Sequence, residues 1–217
     1  SRKNNNKGNN SLNKKIHDPH LAEIEILKYL GKDSNNIFTT YAIPNSSWSN
    51  NSYDYVLIKY ISSMGVQSFN GVDNLTLNYF LESNPELLDT STSINGSPVS
   101  IKNLLIGGLC KCVSYLRSNL IVHRDIKPAN IMIQPQFNYR PVLVDFGFAC
   151  SNNPEIPKIS YSINDCILKN SATLLYMRPE LLISHKQKLD ICKDIGYLNF
   201  GFLADIWSLG CIIYQIL

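Results

Sequence analysis

Two short stretches hold the side chains with the greatest chemical reach. The first is His123-Arg124-Asp125-Ile126-Lys127-Pro128-Ala129-Asn130 and the second is Asp145-Phe146-Gly147. Asp125 offers a carboxylate that can orient a hydroxyl and accept its proton. Lys127, two residues on along an extended loop, can place a cation beside an anionic group. Asn130 and Asp145 supply hard oxygen atoms, the ligand type that Mg²⁺ prefers. Singly, each is commonplace: an aspartate before a basic residue is usually a solvated turn, and a lone Asp-Phe-Gly is weak. Their order carries the signal. After Asn130 come an apolar run (Ile131 to Ile133), a polar, proline-flanked turn and a second apolar run (Val142 to Val144) ending at Asp145. A hairpin of these runs returns Asp145 beside Asn130, as two ligands of one metal pair require.

The set resembles the catalytic loop H-R-D-x-x-x-x-N and the D-F-G triplet of eukaryotic protein kinases of the Ser/Thr type. The resemblance implies an α+β, bilobal protein-kinase-like fold. It also implies transfer of the γ-phosphate of ATP, with Mg²⁺, to Ser/Thr hydroxyls of a protein substrate. Such transfer asks little covalent chemistry of the protein and much positioning and charge neutralisation. Asp125 is then the base, Lys127 the phosphate-side cation, and Asn130 and Asp145 the metal ligands. Lysine at position 127 is the type found in Ser/Thr rather than tyrosine kinases. His123, Arg124, Phe146 and Gly147 complete the two motifs, with Phe146 as both core residue and packing switch. Residues 148 to 172 fall where the family keeps its activation loop. A phosphate placed there or just after it by an activating kinase, on Ser160, Tyr161, Ser162, Ser171 or Thr173, would pair with Arg124.

Several elements must hold these residues in place. Asp18-Pro19 and Gly31 bracket a helix in which Glu23, Leu27 and Leu30 share one face while Glu25 points elsewhere. It resembles the family's helix αC, which makes Glu23 the partner of an ATP-gripping lysine. Ile37 to Ile43 and Tyr53 to Ile61 have the pattern of strands around a polar loop. By resemblance the second runs into the hinge, with Ile58 as gatekeeper and the Lys59 and Ile61 backbone meeting adenine. A short helix is expected over Leu75 to Leu81. Ile101 to Ser118 carries Ile101, Leu104, Leu105, Leu109, Cys112, Val113 and Leu116 on a broad apolar face and predicts a helix leading into the catalytic loop. Ala172 to Glu180 is similar to the family's G-T-x-x-Y-x-A-P-E segment. Thr173 is then the residue that bonds the catalytic aspartate and lysine, and Glu180 the partner of an arginine much later in the family. In that match Ala172 replaces glycine and Arg178 replaces alanine. Asp205 opens a stretch similar to D-x-W-S-x-G of helix αF, where it would tie down the catalytic-loop backbone.

The net charge of +3 is uneven. Arg2, Lys3, Lys7, Lys14 and Lys15 fall within residues 1 to 16 with no acid, and removing these five leaves −2 for the remainder. Basicity belongs to an Asn/Lys-rich segment, 1–17, expected to be disordered, and gives no case for nucleic-acid binding. The six cysteines match no zinc spacing, and reduced, mostly buried thiols in an intracellular protein (cytoplasm or nucleus) are expected. The longest apolar run, Ile206 to Leu217, is 12 residues and interrupted, so no membrane span is expected.

Residues 18–217 thus compare with a partial kinase domain. Residues 18–61 are a small-lobe remainder with the hinge, and 62–217 a large lobe with insertions near 84–100 and 185–199. No glycine-rich loop or apolar-flanked lysine precedes Glu23. The expectation is a piece incomplete at both ends, without the first three small-lobe strands or helices αG to αI, and of little activity by itself. A pseudokinase scaffold or binding module is the alternative reading.

Overall fold

Proline at a first helical position and glycine just past a last one delimit the first element, α1 (Pro19–Leu30). In the computed structural model, residues 19–42, 48–49, 54–55, 75–157, 163–168 and 173–217 are described. Ile26, Leu27 and Leu30 of α1 are buried, and Glu25 turns to an ion pair with Lys28 at 3.1 Å. The chain then doubles back so closely that a Cβ on Gly31 would strike the Ala42 carbonyl oxygen. Buried Asn36 organises this return. Its Nδ2 donates to Leu30 O (3.3 Å) and Thr39 Oγ1 (2.8 Å), and its Oδ1 accepts from the Phe38 and Thr39 N–H groups. Two bonds from α1 and the loop after it reach the long helix downstream: Tyr29 Oη to Asn119 Oδ1 and Tyr115 Oη to Asp33 Oδ2, both 2.9 Å.

Within the described residues, Ile37 to Ala42 does not form the expected strand. It makes one parallel bridge, Thr39 to Leu143, with Leu143 N donating to Phe38 O and Thr40 N to Leu143 O. The Asn36 loop fixes the chain direction there, and the bridges that follow, at Thr39 and Ala42, are isolated ones. Of the second expected strand, β2 (Asp54–Tyr55) pairs antiparallel with β1 (Trp48–Ser49), and the rest lies outside the described residues, as does segment 1–17.

The helix expected near Leu75 is α2 (Leu77–Ser83), started by Thr76, whose side chain accepts from Tyr79 N. Residues 84–100 are more ordered than their Ser/Asn/Gly composition predicts. A 3₁₀ turn (Pro85–Asp89) precedes a hairpin, β3 (Ser91–Ile94) with β4 (Ser97–Ser100). Asn95 and Gly96 both have positive φ (51° and 80°), the geometry of a two-residue hairpin turn. The helix α3 (Ile101–Ser118) has the expected bounds and buries Ile101, Leu105, Leu109, Cys112 and Leu116. Next come β5 (Ile121–Val122), then β6 (Ile131–Gln134) and β7 (Arg140–Leu143), antiparallel with Ile131 opposite Leu143.

β8 (Cys150–Ser151) pairs with β5, and the short α4 (Ile163–Leu168) packs beside it. Here a disulfide joins Cys150 to Cys166, whose Cα atoms are 6.3 Å apart. The expectation of thiols throughout fails at this pair, which only the fold brings together; the other four cysteines are free. The interval 185–199 contains α5 (His185–Ile195), opened by a reciprocal Ser184–Gln187 cap. The last helix, α6 (Tyr197–Ile216), begins eight residues before Asp205. By length and composition α6 is apolar enough to cross a bilayer, which counting unbroken runs did not anticipate. Much of that apolarity is used inside the fold, where Phe200, Leu209, Ile212 and Ile216 are buried and α3, α4 and α5 pack on it.

Two adjacent glycines of α3 separate packing from helix propensity. A Cβ on Gly108 would strike the Pro141 ring on β7, whereas one on Gly107 meets nothing within 4 Å. Gly107→Ala should raise stability by up to about 1 kcal/mol. Gly108→Ala should lower it by about 1–3 kcal/mol through overpacking. Denaturant midpoints of the two variants should move in opposite directions.

Candidate active site

The catalytic-loop backbone is pinned by one side chain of α6. Asp205, 2% exposed, accepts from His123 N through Oδ2 and from Arg124 N through Oδ1, both at 2.8 Å. Burial pushes its carboxyl up to about 7, against the pull of these two N–H donors and the Arg124 charge. The grip is needed because Arg124 has a φ of 70°, a conformation that costs a non-glycine residue energy. His123 is fully buried. Its Nε2 lies 3.1 Å from Val144 O, which can only accept, so Nε2 carries the proton. Nδ1 faces the Asp125 N–H at 3.4 Å. Burial lowers the imidazole pKa, so the ring is the neutral form that these two contacts require. Its ring stands 4.9 Å from that of buried Phe146.

Asp125 is 3% exposed and receives four hydrogen bonds on its carboxylate. Lys127 Nζ (2.7 Å) and Asn130 Nδ2 (3.0 Å) donate to Oδ2, while Thr173 N (3.1 Å) and Thr173 Oγ1 (2.9 Å) donate to Oδ1. Lys127 Nζ also donates to Thr173 Oγ1 at 3.0 Å, which closes the three side chains into a ring. Burial alone would raise the Asp125 pKa. The bonds from Lys127 and Thr173 outweigh it and hold the carboxyl below its usual value. Asp125 is thus ionised and oriented.

Asn130 also donates from Nδ2 to the Asp125 carbonyl at 2.9 Å, which commits its nitrogen and leaves Oδ1 as the ligand-type atom. Val144 N donates to Asn130 O at 3.0 Å, so the β6–β7 hairpin does return Asp145 to this neighbourhood. Asp145 is exposed, has a φ of 63°, and accepts from Gly147 N at 3.2 Å. An exposed carboxylate beside an amide oxygen is a donor set that fits Mg²⁺, which takes one or two carboxylates and completes its shell with phosphate oxygens and water. Glu23 of α1 also reaches this triplet: a Cβ on Gly147 would lie 3.2 Å from Asp145 Oδ1 and 3.8 Å from Glu23 Oε2. Ile58, Lys59 and Ile61 lie outside the described residues, as do Ser160, Tyr161, Ser162 and Ser171.

Arg124 carries its guanidinium away from Asp125. Its Nη1 donates to Phe148 O (3.2 Å) and faces Cys150 Sγ (3.4 Å) and Cys166 Sγ (3.3 Å). Glu180 pairs with Arg178, through Nε at 2.8 Å and Nη2 at 3.1 Å. The residue that breaks the A-P-E pattern is therefore the glutamate's partner among the described residues, and it also stacks over Phe200 at 5.3 Å. Ser208 was not singled out from the sequence. Its Oγ donates to Tyr176 O at 2.8 Å and fastens the segment after Thr173 to α6. The available signal was its place three residues after Asp205, one helical turn along the same face.

The family model described as "Protein kinase domain" matches residues 2–217. A probable serine/threonine-protein kinase of Dictyostelium discoideum is 34% identical over 126 residues, 55% of this chain and 16% of the relative. A probable cell division protein kinase of Encephalitozoon cuniculi is 34% identical over 113 residues, 52% of this chain and 34% of the relative. A serine/threonine-protein kinase of Drosophila melanogaster is 30% identical over 135 residues, 61% and 15% respectively. The chain spans about a third or less of the length of these relatives. With a matched region that takes in Glu23, the Asp125 loop, Asp145 and Asp205, the chain belongs to the protein kinase domain family.

Proposed function

We propose that this chain is the catalytic part of a serine/threonine protein kinase that transfers the γ-phosphate of ATP to protein hydroxyls. The observation that carries the reading is the Asp125 carboxylate, held ionised by Lys127, Asn130 and Thr173. In this reading Asp125 Oδ2 or Oδ1 orients the incoming hydroxyl and takes its proton. Lys127 turns its ammonium from Asp125 toward the migrating phosphoryl group. Thr173 keeps both aligned from the activation-segment side. Asn130 Oδ1 and the Asp145 carboxylate would hold Mg²⁺, which when bound neutralises phosphate charge. Glu23 would steady the lysine that grips ATP, with adenine against the backbone of Lys59 and Ile61 behind Ile58. The Ser/Thr class is supported by Lys127 with Thr173, and by relatives that bear that name.

The deciding experiment uses the whole protein and follows labelled γ-phosphate from MgATP to a generic basic protein. Label should appear on serine and threonine and fall by about 10²-fold or more in Asp125→Ala, the usual weight of a general base. Asp145→Ala should abolish it. Absent transfer together with absent ATP binding would instead favour a scaffold.

A second test reads the Asp125 pKa directly by carboxyl ¹³C titration. The depressed native pKa means that its stabilising contribution is complete above the unfolded value and is lost as pH falls through the native one. Lys127→Met removes one of the groups holding it low. The titration should move to higher pH, and acid unfolding should begin at higher pH. An unmoved titration would show that Lys127 does not tune the base.

Asp205→Asn tests the anchor, because it sets an amide NH₂ against one of two backbone N–H groups. A buried donor left without an acceptor costs about 1–3 kcal/mol, so the denaturation midpoint and phosphotransfer should fall together.

A further inference from the structure

Arg124 directs its Nη1 to the chain that follows Asp145-Phe146-Gly147. It meets a carbonyl and two sulfurs, with Cys166 Sγ at 3.3 Å and Cys150 Sγ at 3.4 Å. The sulfurs come from elements with separate attachments. β8 is paired to β5, next to the catalytic loop, whereas α4 packs on α6. The link closes a loop across a sequence separation of 16, and that loop contains Ser160, Tyr161 and Ser162. Both cysteines are buried, at 0% and 3% exposure. In the same arrangement Thr173, seven residues after Cys166, is seated on Asp125.

We propose that Cys150 and Cys166 form a reversible redox site, whose disulfide fastens the activation segment against Arg124 and whose reduction releases it. The functional half of this inference rests on the protein-kinase reading; the chemical half does not. A guanidinium at hydrogen-bond distance favours the thiolate form that attacks disulfides. The oxidant is a small-molecule disulfide such as oxidised glutathione. Cys166, the less buried, attacks one glutathione sulfur, forming a mixed disulfide and releasing one reduced glutathione. The Cys150 thiolate then attacks Cys166 Sγ and expels the second glutathione. Two thiol protons and two electrons pass from the protein to glutathione disulfide, giving two reduced glutathiones. The closed loop has fewer open conformations to visit, which favours the arrangement in which Thr173 meets Asp125.

The test equilibrates the whole protein in graded ratios of reduced to oxidised glutathione and traps thiols with an alkylating agent. Trypsin cuts after Lys158, between the two cysteines, so a Cys150–Cys166 link appears as a joined peptide pair without reductant. The same samples are assayed for nicking of the folded protein at Lys158 and for phosphotransfer. The expected result is a link that forms and reverses with the ratio, with slower nicking when it is present. Reduction should lower phosphotransfer by about fivefold or more, the lower end of ordinary coupling between two sites. Cys150→Ser and Cys166→Ser should each stay at the reduced level whatever the ratio. Cys110→Ser, at an exposed free cysteine, should behave as the parent. No joined peptide at any ratio overturns the proposal, as does a link that changes neither nicking nor phosphotransfer. Phosphotransfer absent in every state would count against the kinase reading, while peptide mapping and nicking still decide the redox site.

Discussion

A carboxylate on one helix, gripping two successive backbone N–H groups of a loop, is the constraint on which the active-site geometry rests. Asp205 accepts from His123 N and Arg124 N at 2.8 Å, and in doing so holds Arg124 at positive φ. That turn sends the Arg124 side chain toward β8 and α4 and the Asp125 side chain toward Lys127, Asn130 and Thr173. Neighbouring side chains therefore serve different parts of the molecule. The long apolar helix is a rigid post, and its polar residues Asp205, Ser208 and Gln215, which touch the loops, lie along one face.

Around that post the polar side chains satisfy each other with little surplus. The Asp125 carboxylate takes four donors, the neutral His123 ring spans two backbone groups, and Asn130 uses one nitrogen twice. Removing any member leaves a buried polar atom without its partner, which costs more than the bond itself is worth. Asp145 is the exception. It is exposed and receives the Gly147 N–H, a position suited to a group that must meet a ligand.

The sequence was most legible where chemistry and periodicity coincide. The hairpin between Asn130 and Asp145 and the helices at 19–30 and 101–118 all stand where spacing places them. Composition misled at 84–100. Serine and asparagine there suggest a loop, although Asn95-Gly96 is a strong hairpin signal. Pattern also misled at Ile37 to Ala42, where Ile37 is exposed, Phe38 and Tyr41 pack against the core, and the backbone makes isolated bridges at Thr39 and Ala42. Other features depend on distant contacts and leave no local trace. The pairing of Cys150 with Cys166, for example, depends on α4 folding against β8.

The two tyrosine bonds at the end of α1 have a mechanical meaning. Tyr29 to Asn119 and Tyr115 to Asp33 fasten that end of the helix to α3 and its C-terminal cap. Glu23 sits seven residues, or about 10 Å, back along the same helix. The fastened end is a fulcrum and Glu23 rides on the lever arm. A tilt of about 10° there carries its carboxylate about 2 Å across Gly147. The position of Glu23 over Gly147 is thus more sensitive to the angle of α1 than the two tyrosine bonds at its fastened end.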